Sequence, residues 1–224
     1  DEMKILVADP EAHAAVGQLE IVDRAEPEIV IAQPDSCSSR QRGHRLASFK
    51  VWNAATVGGN ICMALPAGPM ITLTVALQAG YRLWAADGSE RMLPAAEFVV
   101  GNNRNVLQPG ELLRGVHIPA AALRRRHAHR HFCLTKLGRS TMFLVGTQDH
   151  DTGDVLLTIT AATTHPVCLT FDGLPGPGDL AERIDAIDEA AWFDDANGTP
   201  SHRRHLTRHF AEEIRAELAG DGPR

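Results

Sequence analysis

The ten residues Asn53-Ala54-Ala55-Thr56-Val57-Gly58-Gly59-Asn60-Ile61-Cys62 constrain this chain more than any other stretch. Adjacent glycines adopt backbone angles that a Cβ forbids, and they let a ligand or a second backbone approach closely. Successive bare N–H groups in such a turn form a concavity suited to an anion or a polar ligand edge. Asn60 adds an amide that both donates and accepts. Thr56, Val57, Gly58, Gly59 and Asn60 are therefore candidate ligand-binding residues. The same glycine pair also fits an ordinary tight turn between strands.

A chain of 224 residues is long enough to bury a substantial core, as one large domain or two small ones. A formal net charge of −6 argues against a nucleic-acid or anionic-membrane surface. No apolar run is long enough to span a bilayer, and the first residues lack a signal-peptide pattern. Cys37, Cys62, Cys133 and Cys168 are widely spaced, which is neither zinc nor iron–sulfur spacing. They read as reduced, structural thiols, and the expected location is cytoplasmic.

Downstream of the glycine pair the chain alternates short strands with helices, which predicts an α+β layer. Residues 3–8 and 28–32 read as strands. Residues 69–79 read as a helix, with Pro69 in the first turn and Gly80 just past its end. Residues 81–85 alternate like a strand, Asp87-Gly88 marks a hairpin turn, and Arg91-Met92-Leu93-Pro94 returns. Residues 112–118 form another strand.

The composition changes at 120–131, which reads as a linker between domains. Arg124-Arg125-Arg126-His127-Ala128-His129-Arg130-His131 places three imidazoles on one side of any strand. A metal site there lacks a carboxylate or thiolate close by in sequence, and the four arginines repel a cation. A solvated basic segment or a contact with an acidic partner fits the same residues. Residues 132–224 read as a second domain, with strands at 132–137 and 154–162 and a helix at 179–190. In a last helix Thr199 is the N-cap and Pro200 the first residue. Leu206, Phe210, Ile214 and Leu218 form its predicted apolar stripe. His202, His205 and His209 have no acid or nucleophile beside them in sequence and read as surface or interface polarity.

No nucleophile elbow, zinc-protease helix, P-loop or dinucleotide fingerprint is present in the sequence. What is present is an ordered series: Thr56-Val57-Gly58-Gly59-Asn60, then Ala64-Leu65-Pro66-Ala67-Gly68, then Arg91-Met92-Leu93-Pro94, then Pro109-Gly110-Glu111-Leu112-Leu113, then Ile118-Pro119. From about Leu46 to Leu218 the chain resembles the FAD-binding (medium) subunit of molybdenum hydroxylases, the family of carbon monoxide dehydrogenase and xanthine dehydrogenase. Ser201-His202-Arg203-Arg204-His205-Leu206 resembles that family's Y-R-R-x-L element, with His202 in place of Tyr.

The resemblance implies an FAD-binding domain of the PCMH/xanthine-dehydrogenase type over 1–119, its second subdomain starting near 45. A carbon-monoxide-dehydrogenase-flavoprotein-like α+β domain is implied to follow over 132–224. It also implies FAD as cofactor, held against Thr56, Val57, Gly58, Gly59 and Asn60, with Leu113 packing on it and the cationic Lys136 near the flavin. A molybdenum-cofactor large subunit and an iron–sulfur small subunit are the implied partners, in a dimer of heterotrimers. Electrons would then pass from iron–sulfur clusters through FAD to an external acceptor.

The chain departs from the family at three places. No A-G-G-x-S-L-type loop lies between Asp1 and Lys50, Pro69 stands where an Asp is common, and Cys168 replaces a basic residue. These departures leave open a subunit that keeps the fold and binds partners without FAD.

Overall fold

The computed structural model describes residues 56–135 and 138–220. The expected strands at 3–8 and 28–32, Cys37 and Lys136 lie outside the described residues.

Helix α1, Val57–Cys62, begins at the glycine pair and packs against helix α2, Pro69–Ala76. Pro69 occupies the first turn of α2, where its missing N–H is no loss. The helix stops earlier than the sequence suggests. Gln78 takes the left-handed position at φ 52°, and the Ala79 and Gln78 amides donate to Thr74 and Val75 carbonyls, both at 2.9 Å. That is a Schellman closure with glutamine in glycine's usual place. Gly80 is unavailable for it because it already opens the next strand, opposite both Pro94 and His117. Exposed Gln78→Gly should therefore raise stability by about 0.5–1 kcal/mol, because glycine relieves the left-handed strain at some entropic cost. The urea midpoint measures it; an unchanged or lowered midpoint would contradict it.

The first sheet is antiparallel and ordered β2-β1-β5, with β1 Gly80–Trp84, β2 Glu90–Pro94 and β5 Leu112–His117. The Asp87-Gly88 turn joins β1 to β2. Gly88 sits at φ 83°, and the Asp87 carboxylate accepts from the Ser89 amide at 2.9 Å. A short ribbon, β3 Val99–Gly101 and β4 Arg104–Asn105, lies between β2 and β5 in the chain. Ile61, Ile71, Val75, Leu83, Phe98 and Val116 form the first core. Within it the Tyr81 ring meets Phe98 edge-on at 5.1 Å, and its hydroxyl lies 2.5 Å from Thr74 Oγ1.

Residues 120–131 are not a linker. They form helix α3, Ala120–Leu123, and most of strand β6, Arg126–Cys133. The basic run is a strand because its charges find acids far away in sequence. Arg130 donates to Glu213 at 2.6 Å and to Glu217 at 2.8 Å, and Arg125 reaches Asp149 at 3.3 Å. Ala128 turns inward and is buried. A thiol neighbour exists in space: Cys133 Sγ lies 3.3 Å from His131 Nε2, and Ser140 Oγ lies 2.6 Å from the same nitrogen. Burial pushes the Cys133 thiol up, which disfavours its thiolate. Among the described residues no three His, Cys, Asp or Glu side chains converge as metal ligands.

The second sheet is ordered β6-β7-β8-β9, all antiparallel, with β7 Ser140–Gln148, β8 Val155–Thr160 and β9 Val167–Phe171. Helix α4, Pro177–Asp185, and the long helix α5, Pro200–Ala219, pack with it into a second core. Thr199 caps α5 through the His202 amide, and Gly220 closes it at φ 89°. The buried stripe of α5 is rotated from the expected one. It runs Arg203, Thr207, Ala211, Ile214, Leu218, whereas Leu206 and Phe210 are half-buried. Packing on β7 sets this face, and Gly146 permits it: a Cβ there would meet Ile214 Cγ2 at 2.4 Å.

Arg203 is fully buried. Its Nε donates to the Gly198 carbonyl at 3.0 Å and its Nη1 to the Ala161 carbonyl at 2.7 Å. It also donates to the Thr141 carbonyl and pairs with Asp195.

Helix α2 joins the two cores. It contacts β7 and β8 as well as α1, and it lacks a distinct polar face because both sides are covered. Thr72 Oγ1 and Thr160 Oγ1 are 2.7 Å apart, and the Ala161 amide donates to the Pro66 carbonyl at 2.8 Å. Among the described residues no helix is long and apolar enough to cross a membrane.

Candidate functional site

The glycine turn is the first turn of a helix rather than a hairpin. Thr56 is extended, and its Oγ1 accepts from the Gly59 amide at 3.0 Å. The Asn60 amide makes the first intrahelical bond, to the Thr56 carbonyl at 2.9 Å. The Val57 and Gly58 amides precede any carbonyl that the helix can offer them. The two glycines do different work. A Cβ on Gly59 would stand 2.8 Å from Thr56 Oγ1, so Gly59 is required by the cap. Among the described residues nothing lies within 4 Å of a Cβ built on Gly58, so no described side chain fills its bare face.

Asn60 has a structural duty as well. Its Oδ1 accepts from the Met70 amide at 3.0 Å, tying α1 to the start of α2. The N-cap of α2 is Gly68, which has no side chain to cap with, and Pro69 brings neither carboxylate nor N–H. The neighbouring amide is therefore satisfied from Asn60.

Leu113 is placed differently from Thr56–Asn60. Its side chain is 6% exposed in the first core, in register with Leu83, whereas Leu112 beside it is exposed. Helix α1 packs against β5, so Leu113 supports the turn from beneath. The structure thus brings Thr56, Val57, Gly58, Gly59 and Asn60 together on α1. The Cys62 and Cys168 thiols are pushed up by burial, which disfavours the thiolate.

The Arg91 and Glu111 motifs, twenty residues apart in the chain, meet in space. Arg91 Nε and Nη2 donate to the two Glu111 oxygens at 2.9 and 2.8 Å, a bidentate pair. Glu111 also accepts from the Gln108 amide at 2.7 Å, and Arg91 Nη2 donates to the Val106 carbonyl at 3.2 Å. The opposite charges of the two motifs, Arg91 on β2 and Glu111 just before β5, were the available signal. These bonds hold the Glu111 carboxyl down to about 2. Its ordinary value is about 4.3, so its contribution is fully present above that pH and is lost as pH falls from about 4.3 toward 2. Thermal melts across this window should show Tm falling with pH in the wild type and falling less in Glu111→Gln. Equal slopes would show that the latch does not couple to folding.

Residues 8–121, half of the chain, match the family described as "FAD binding domain in molybdopterin dehydrogenase". The match begins well before Leu46, so it takes in residues whose motifs alone did not disclose it. Xanthine dehydrogenase 1 of Arabidopsis thaliana is 33% identical over 73 residues, 33% of this chain and 5% of that protein. Caffeine dehydrogenase subunit beta of Pseudomonas sp. (strain CBB1) is 36% identical over 74 residues, 33% of this chain and 25% of that subunit. These curated relatives are thus matched over a quarter of their length or less.

A chain of the carbon monoxide dehydrogenase of Hydrogenophaga pseudoflava superposes with a TM-score of 0.71 at 16% identity. The superposition covers 92% of this chain and 79% of that one, and it shows a shared α+β fold through both cores. With the matched residues enclosing the whole glycine turn and the first sheet, the chain belongs to the FAD-binding family of the molybdopterin dehydrogenases, the molybdenum hydroxylases.

Proposed function

We propose that this chain is the flavoprotein subunit of a multi-subunit molybdenum hydroxylase, passing electrons from iron–sulfur clusters through FAD to an external acceptor. The observation that carries the reading is the Gly58 face: a bare glycine in the first turn of α1 that no described side chain covers, inside the family match. The residues fit the cofactor's polar edge. The Val57 and Gly58 amides stand in the first turn, where the helix itself offers them no carbonyl. Thr56 and Gly59 hold that turn in shape, and Asn60 fixes it to α2. Bound FAD supplies a centre able to exchange one or two electrons, and the chain's own part is binding, orientation and exclusion of water. Lys136 is assigned a place near the flavin, where its charge would favour an anionic reduced state.

The molybdenum cofactor and the iron–sulfur clusters belong to partner subunits in this reading, and substrate is oxidised there. The FAD-binding unit ends near 119, and the unit built on the second sheet begins with β6.

A second reading is an interaction subunit that binds partners without FAD. Pro69 favours it, because a carboxylate at that position would add a charge-assisted hydrogen bond worth about 1.5–3 kcal/mol. The full-length protein, co-expressed with the proteins encoded beside it, decides between the two. One FAD per chain released on denaturation supports the electron-transfer reading. A colourless complex that stays colourless in excess FAD overturns it in favour of the second.

A further inference from the structure

We propose that Asn105 is a positioning residue for the glycine turn, setting its affinity for FAD without touching the cofactor. The inference rests on the reading that this turn holds FAD. Helix α1 has only six residues, too few to hold its shape alone, so its geometry is fixed by what grips its ends. The front is gripped by Thr56 and Asn60. The back ends in carbonyls that the helix cannot satisfy. Asn105 Nδ2 donates to the Cys62 carbonyl at 2.7 Å. The Asn105 amide is itself locked, because its Oδ1 accepts from the Leu107 amide at 2.9 Å.

A second bond lies beside it. The Asn103 amide donates to the Ala64 carbonyl at 2.9 Å. Both residues are left-handed without being glycine, at φ 54° and 49°. Two such strained positions joined by one bond persist only where the surroundings fix them. Asn105 pairs with Val99 in the β3–β4 ribbon, and the next residue, Val106, donates to Phe98 at 3.1 Å and accepts from Arg91. The Arg91–Glu111 latch therefore anchors the ribbon, the ribbon anchors Asn105, and Asn105 anchors the helix whose first turn carries Gly58. This gives the ribbon a role that its two short strands alone do not suggest.

Asn105→Asp is the direct test. It keeps the acceptor for Leu107 and turns an oxygen toward the Cys62 carbonyl where a donor stood. Asn105→Ser is the second variant, because its hydroxyl can still accept locally but is too short to span to α1. Thr163→Val is the control. It removes a buried hydroxyl bonded to Ile159 and His165 carbonyls in the second core.

Two readouts are taken on the full-length chain. Amide hydrogen exchange of the peptide covering Val57–Cys62, without FAD, should accelerate in both Asn105 variants and stay at the wild-type rate in Thr163→Val. The dissociation constant for FAD, with the visible circular dichroism of the bound flavin, should rise roughly tenfold in the Asn105 variants and not in the control, as expected for one lost hydrogen bond. Unchanged exchange in the Asn105 variants overturns the brace. Accelerated exchange with unchanged FAD affinity overturns its link to the cofactor. If the wild type binds no FAD, the functional reading fails by itself, and the exchange measurement still decides whether Asn105 holds the turn.

Discussion

Arg203→Ala is expected to destabilise the protein by about 3–5 kcal/mol, the cost of removing one partner from a buried ion pair. The guanidinium is fully buried and serves acceptors on three sides. These are the Gly198 and Asp195 turn before α5, the Thr141 carbonyl at the start of β7, and the Ala161 carbonyl after β8. Alanine removes the donor that these carbonyls share and takes from Asp195 its nearer counter-charge, leaving Arg139 at 3.8 Å. Arg203→Lys should recover only part of the loss, because one ammonium cannot reproduce the planar fork.

The loss should have a pH signature. Burial by itself raises the Asp195 carboxyl. Hydrogen bonds from Asn197 and the charge of Arg203 outweigh it and hold the group below the usual carboxylate range. Its contribution is therefore present above about pH 3.9 and is lost as pH falls further. Guanidinium unfolding at pH 7 measures the main effect, and a change under 1 kcal/mol would refute the pinning role. The same arginine also bears on the joint between the cores. Ala161 sits at φ 62°, which points its carbonyl at Arg203 while its amide donates to Pro66 beside the glycine turn's own core.

Gly58→Leu carries the second large effect, and it separates binding from folding. Because no described residue lies within 4 Å of a Cβ at Gly58, the side chain is expected to be tolerated by the fold. Leucine is also a better helix former than glycine by nearly 1 kcal/mol, so Tm should hold or rise slightly. FAD, if it lies against this face, meets four extra carbons. Overlap of that kind costs about 1–3 kcal/mol or more, which corresponds to roughly ten- to a hundredfold or greater loss of affinity. Fluorescence titration with FAD measures it. Wild-type affinity in Gly58→Leu would place the cofactor elsewhere. Gly59→Ala gives the contrasting result, since its Cβ would crowd Thr56 Oγ1 at 2.8 Å. It should cost about 1 kcal/mol of stability through the lost cap, whether or not FAD is present.

The legible parts of the site were those written in local backbone chemistry. Adjacent glycines after Thr56 announced a close approach, and the structure gives Gly59 its reason in the Thr56 cap. Asn60 was expected as a donor to a ligand. Its carbonyl oxygen turns out to serve Met70, a residue ten positions on, because α2 opens with a glycine and a proline that cannot cap it. Asn105 was missed altogether. A lone asparagine in a short ribbon carries no pattern, and its meaning depends on Cys62 lying beside it in space.

By itself the sequence determined the elements whose signals are local. The Thr199-Pro200 start of α5, the Asp87-Gly88 turn and the alternation of β1 each follow from dihedral preference, capping or period two. It also determined the family, because an ordered set of motifs survives without knowledge of contacts. Only the tertiary structure decided what depends on partners distant in the chain. Most of the basic run at 124–131 lies in the edge strand β6, with Arg130 paired to Glu213 and Glu217 and Arg125, just before the strand, to Asp149. The buried stripe of α5 passes through Arg203 because acceptors from three segments surround it. Charge compensation and burial are sums over neighbours in space, and a linear reading contains the terms of those sums without their pairing.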